Sequence, residues 1–170
     1  MTRSFPLLSA AALALAGCAT VPPPAVAPVA VAPAGAVPPA TAPGPDFLAR
    51  NAASPGVVTT ASGLQYFIVK SGPATAAHPT ANDTVSFDYE GKLTTGETFD
   101  SSYTEGHPLT GQVSKFVPGF SEALQLMRPG DEWIVWIPPA LGYGSKAVGP
   151  IPANSVLRFK LVLHSVTPAA

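Results

Sequence analysis

Residues 46–170 predict an α+β domain: an antiparallel β-sheet of about five strands wrapped on one short helix. Three observations carry this. Short β-prone runs alternate apolar and polar residues and are joined by links of hairpin length. Only Pro118 to Met127 has clear helical periodicity. The composition also changes at Asp46, where a segment dense in Ala, Val and Pro ends. A run of strands around a single helix is the pattern of a sheet with a helix packed on one face.

The chain opens with Arg3 and an apolar run from Phe5 to Ala16. That run is shorter than the roughly 20 residues that span a bilayer. Residues 1–17 are therefore read as a secretory signal and kept out of the fold. Leu15-Ala16-Gly17-Cys18 resembles the lipobox of bacterial lipoproteins. The resemblance implies cleavage after Gly17 and acylation of Cys18, and several acyl chains anchor stably where one binds marginally. Ala19, rather than Asp, implies the outer membrane by the enterobacterial sorting pattern. The expected address is the cell envelope, lipid-anchored in the outer membrane and facing the periplasm.

Residues 18–45 are expected to be the lipid anchor and a Pro/Ala-rich linker. Pro22 to Pro24, Pro28, Pro33, Pro38, Pro39, Pro43 and Pro45 forbid a helix interior and a central strand. At about 3.1 Å per residue such a segment reaches roughly 80 Å at most. It suits a stalk, or alternatively a Pro-rich ligand for a partner.

Asp46 to Asn51 suggests a helical turn capped by Asp46. Val57 to Thr60 and Leu64 to Lys70 are strand candidates around the Ser62-Gly63 turn. From Thr84 to Leu93, Val85, Phe87 and Tyr89 alternate with Ser86, Asp88 and Glu90, which buries one face. Thr95-Gly96 is a turn, and Thr98-Phe99-Asp100 starts the next strand. In the helix, Phe120, Ala123, Leu124 and Met127 form one stripe; Pro118 suits the first turn and Pro129-Gly130 ends it. Trp133 to Ile137 and Val156 to Val166 complete the sheet. Two-residue periodicity puts Trp133, Val135 and Ile137 on one face and Ile134 and Trp136 on the other. If the first set is core, the second is exposed, either as a client-binding patch or as a covered sheet face.

A net charge of −1 gives no electrostatic reason for a nucleic-acid partner. A single cysteine excludes an internal disulfide. His78, His107 and His164 lie far apart, and no metal spacing, phosphate loop or nucleophile–base motif occurs, so no metal or cofactor is expected. What remains is aromatic. By residue type alone, Tyr89, Phe99, Phe120, Trp133, Tyr143 and Phe159 are core candidates first.

Their order carries more. Tyr89-Glu90-Gly91 and Gly96-Glu97-Thr98-Phe99-Asp100-Ser101-Ser102 come first. Phe116-Val117-Pro118-Gly119-Phe120-Ser121-Glu122-Ala123-Leu124, Leu141-Gly142-Tyr143-Gly144, Ile151-Pro152-Ala153-Asn154 and Leu157-Arg158-Phe159 follow. These blocks, over about residues 57–166, resemble the FKBP-type peptidyl-prolyl cis-trans isomerases. Ser62 to Tyr66 and Ser121 to Met127 are most similar to the periplasmic, macrophage-infectivity-potentiator-like branch. Those relatives carry a long helical dimerisation region before the domain. A Pro-rich segment stands there in this chain, so a monomer is expected.

The resemblance implies isomerisation of X–Pro bonds, with X apolar, in folding envelope proteins. It also implies binding of rapamycin-type macrolides. By matching positions, Phe120 would be the pocket floor, in place of the family's Trp, and Tyr89, Phe99 and Phe159 the walls. Phe116 and Val117 would line the rim, with the Val117 N–H offered to a substrate carbonyl. Tyr143 would donate its hydroxyl to another carbonyl. Asp100 would polarise the twisting amide or order Tyr89, and Ile151 would cover the pocket. Two positions depart from the pattern. Glu105 lies where many relatives carry an Arg that supports the Asp, and Gly111 stands where they often have a Phe. The loop before Ile151 is also short. Two rival functions remain open: an FKBP-fold chaperone with weak isomerase activity, and an envelope tether.

Overall fold

The computed structural model describes residues 45–169. The expected signal, the acylation expected at Cys18 and residues 19–44 lie outside the described residues. Seven strands form one antiparallel sheet: β1 (Val57–Thr59), β2 (Gln65–Lys70), β3 (Thr84–Leu93), β4 (Thr98–Ser101), β5 (Leu109–Gln112), β6 (Glu132–Ile137) and β7 (Leu157–Thr167). The order is β1-β2-β6-β7-β3-β4, with β5 also on β3. Three helices accompany them: α1 (Pro45–Ala52), α2 (Ser102–Glu105) and α3 (Pro118–Leu126).

β3 organises the sheet. Its inward residues Val85, Phe87 and Tyr89 are buried, as the alternation requires. One of its edges pairs with β7 along the whole strand. The other edge is divided between β5, from Thr84 to Phe87, and β4, from Glu90 to Lys92. Sequence periodicity does not mark β5, because Pro108 and Gly111 break any β-prone run. It forms because the first half of β3 would otherwise be an unpaired edge.

α3 lies against the inner face, with Phe120, Ala123 and Leu124 in the core beside Val135, Ile137, Leu157 and Leu161. A Cβ on Gly119 would sit 2.5 Å from Ile137 Cγ2, so only glycine lets the helix approach β6 this closely. Pro118 occupies the first turn, where its missing N–H is not needed.

One expectation is corrected, and one open alternative is decided in favour of a covered sheet face. α1 begins at Pro45, so Asp46 sits inside the first turn rather than at the cap. Trp136 is not exposed: it is 9% accessible. Its neighbour across the strands is Gln65, and both lie on the outer face. Gln65 donates to the Leu48 carbonyl of α1 at 2.9 Å and accepts from Asn51 at 2.8 Å. α1 therefore covers this end of the sheet, and Ile134 is partly buried as well. Farther along the outer face, Lys92–Glu90 and Lys160–Glu132 pair at 2.9 Å.

Candidate active site

Alternation along β3 turns Tyr89 inward, and its hydroxyl donates to Asp100 Oδ2 at 2.8 Å. Asp100 Oδ1 accepts from its neighbour's N–H, Ser101, at 2.9 Å. Burial, followed by the hydrogen bond to Asp100 and the charges of Asp100 and Glu105, pushes the Tyr89 hydroxyl above the ordinary tyrosine range. Tyr89 is thus a fixed proton donor that orders the carboxylate beside it.

The paired serines after Asp100 brace this arrangement from behind. Ser101 Oγ caps α2 by accepting from the Tyr103 N–H. Ser102 is fully buried; its Oγ accepts the Tyr89 N–H at 3.0 Å and donates to Asp88 Oδ1 at 2.8 Å. His164 meets Asp88 Oδ2 at 2.7 Å. Burial works against the Asp88 charge, but the His164 and Ser102 bonds together with the His164 charge outweigh it. They hold this carboxyl below the usual range.

Tyr89, Asp100, Leu109, Lys115, Phe116, Val117, Phe120, Tyr143 and Phe159 surround an open cavity of about 230 Å³. Phe120, 5% accessible, is the least exposed of the lining residues. Phe159 stands edge-on to Phe120 at 5.1 Å and 87°, and Tyr89 edge-on at 6.3 Å and 88°. Such edge-to-face contacts are favoured by the ring quadrupoles and lock the rings in place. Pockets for drug-sized ligands are typically about 300–1,000 Å³. This cavity is smaller and suits one compact ring, with the rest of a ligand lying outside.

Donors flank the mouth. Val117 is the N-cap of α3, and its carbonyl accepts from Phe120 and Ser121. Its own N–H donates to no backbone carbonyl among the described residues. Tyr143 follows a 3-10 turn at Pro139–Leu141 and is 37% accessible. Gly144, at φ +58°, turns the chain back so that its N–H reaches the Pro139 carbonyl at 2.8 Å, which presents the Tyr143 ring to the cavity.

Phe99 and Ile151 do not line this cavity. Phe99 packs edge-on behind Phe159 at 5.5 Å. A Cβ on Gly91 would come within 2.8 Å of both rings, so the glycine of the Tyr-x-Gly block is the space they occupy. Phe99 faces a second hollow with Thr98, Asp100, Ser101, Thr104 and Glu105. Ile151 is 5% accessible and joins the core, because a tight bridge between Val148 and Ile151 folds its loop back on itself. Conversely, Leu109 and Lys115 line the cavity without having stood out in the sequence. Leu109 belongs to β5, the strand that periodicity does not reveal. Lys115 is an ordinary surface lysine until the 3-10 turn Val113–Lys115 brings it to the rim.

The family model of FKBP-type peptidyl-prolyl cis-trans isomerases matches residues 75–164, which include every element of this cavity. This chain belongs to that family. The model of the domain amino-terminal to such isomerases matches residues 36–68, ending in β2. The chain is 48% identical over 130 residues to "Outer membrane protein MIP" of Legionella longbeachae, covering 76% of this chain and 55% of the relative. It is 45% identical over 121 residues to "Peptidyl-prolyl cis-trans isomerase Mip" of Coxiella burnetii, covering 71% and 52%. It spans about half the length of these curated relatives. The crystal structure of FkpA from Escherichia coli superposes with a TM-score of 0.70 at 38% identity, over 74% of this chain and 58% of that one. A peptidyl-prolyl cis-trans isomerase from Pseudomonas syringae gives 0.67 at 31% identity, over 72% and 90%. Among the described residues of this FKBP-type domain, the Asp100 carboxylate is met by two neutral donors, the Tyr89 hydroxyl and the Ser101 N–H.

Proposed function

We propose that this chain accelerates cis-trans isomerisation of X–Pro bonds, with X apolar, in proteins folding in the cell envelope. The observation that carries the reading is a ring-sized aromatic cavity with an ordered Asp100–Tyr89 pair in its wall and two donors at its mouth. Rotation about an X–Pro amide meets a barrier of about 18–20 kcal/mol, because conjugation must be broken. Exchange then takes tens to hundreds of seconds. Bringing it to milliseconds requires roughly 5–7 kcal/mol of preferential stabilisation of the twisted amide.

The proline ring would rest on Phe120 between Tyr89 and Phe159. The planar amide is more dipolar than the twisted one, so a water-poor aromatic cavity favours the twisted form. The Val117 N–H and the Tyr143 hydroxyl would hold the flanking carbonyls while the bond turns. Asp100, kept in place by Tyr89, would face the amide carbonyl carbon as its conjugation is lost. Rapamycin-type macrolides would compete for the same floor.

We further propose acylation at Cys18 and attachment to the outer membrane, with residues 19–44 as the spacer and a monomeric domain beyond it. The lipobox supports this, and the relative named as an outer membrane protein agrees with it. The test uses soluble full-length chain carrying Cys18→Ser in a protease-coupled assay with a short apolar X–Pro peptide. Acceleration that a macrolide abolishes is the expected result. No acceleration, with aggregation of an unfolded protein still suppressed, would replace the enzyme by a binding module. Radiolabelled palmitate should enter the natural chain and not the Cys18→Ser variant.

A further inference from the structure

Gly111 lies on β5 opposite Val85, beside the cavity but not in its lining. A Cβ there would sit 2.9 Å from Phe116 Cζ. The Phe116 ring therefore fills the space that any side chain at 111 would claim. That ring is held on its other sides. It meets Phe87 edge-on at 5.4 Å and Phe120 at 5.3 Å. Ser121 Oγ donates to the Phe116 carbonyl at 3.2 Å and to the Val113 carbonyl at 2.7 Å, which ties the turn to α3. Phe116, with Leu109, makes the cavity wall on this side.

By the resemblance, many relatives have a Phe at the position of Gly111. In this chain an aromatic ring reaches that space from the turn before α3 instead. We propose that Gly111 is a positioning residue: by carrying no side chain it lets Phe116 stand as a cavity wall, and the pair sets the width of the proline site. This rests on the isomerase reading above. A side chain at 111 must displace the ring, and Phe87 and Phe120 block it on two sides. The open direction is the cavity, so the site narrows. Because the wall touches planar and twisted amide alike, the loss falls on KM rather than kcat.

The test is a double-mutant cycle on the full-length Cys18→Ser chain, with kcat, KM and Tm measured together. Gly111→Ala should raise KM about tenfold with kcat within about twofold, a coupling of the size usual for touching residues. Phe116→Val removes the ring that an added methyl would strike. Adding Gly111→Ala to Phe116→Val should therefore cost no further KM. If the alanine raises KM as much in that background as in the natural chain, the pair is uncoupled and the proposal is overturned. If Gly111→Ala alone fails to fold, the comparison of Phe116→Val with the double variant still decides. The same peptide titrated against the four proteins by NMR reads the coupling as Kd. A wild type without turnover would thus sink the isomerase reading while the coupling is still judged.

Discussion

On one side of Asp100 lies a cavity of about 230 Å³ walled by Tyr89, Phe116, Phe120 and Phe159; on the other lies one of about 280 Å³ walled by Thr98, Phe99, Ser101, Thr104 and Glu105. Their volumes are close, so size does not choose between them. Lining does. On the aromatic side Asp100 accepts a hydrogen bond from Tyr89 and faces packed rings. On the polar side it shares a hollow with the exposed carboxylate Glu105, where water and salt screen charge. Only the first can hold an apolar ring away from water and keep a fixed dipole against it.

Removing the floor should have the largest effect. Phe120→Ala deletes a ring that touches Phe87, Tyr89, Phe116 and Phe159 and is 5% accessible. A loss of about 3–5 kcal/mol in urea unfolding is expected, along with turnover. A fully stable, active variant would mean that the aromatic side is not the site. Phe120→Trp, which restores the family residue, should keep both.

Asp100→Val removes the wall common to both hollows. A hydrogen bond to a charged group contributes about 1.5–3 kcal/mol, and the exposure of Asp100 places it at the low end. A fall of about tenfold in kcat/KM follows. Tyr143→Phe touches the aromatic side alone. One neutral hydrogen bond of about 0.5–1.5 kcal/mol corresponds to roughly two- to tenfold in rate. If both variants keep full activity, the assignment of these residues fails.

Glu105→Gln touches the polar side alone and should change kcat/KM by less than about twofold at physiological salt. A larger gain would show that this carboxylate impairs Asp100. The pH dependence separates the sides too. The Tyr89 hydroxyl is held above its ordinary range, so the folded protein keeps that proton where the unfolded chain loses it. The stability it contributes is complete below about pH 10 and is lost as pH rises further. Tyr89→Phe should flatten that alkaline decline in thermal unfolding.

Much of this was legible from local pattern. The alternation of β3 and the stripe on α3 each need only their own residues, and both buried the faces they announced. β6 admits two readings from its sequence, an exposed patch or a covered face, for a physical reason: period two says which residues share a face, not what covers it. Trp136 is buried because α1 folds back over Gln65. β5 was invisible because its partner, not its composition, makes it a strand.

The site divides in the same way. The sequence by itself determined the family and picked out Tyr89, Asp100, Phe116, Val117, Phe120, Tyr143 and Phe159, which the structure gathers around one cavity, because the motif order records which side chains must meet. Only the tertiary structure decided that Phe99 backs Phe159, that Ile151 enters the core, that Leu109 and Lys115 reach the cavity, and that the space above Gly111 is filled by Phe116. Those four outcomes depend on how close two distant segments approach. That distance is set by the packing of the whole sheet against α3, and no local run of residues encodes it.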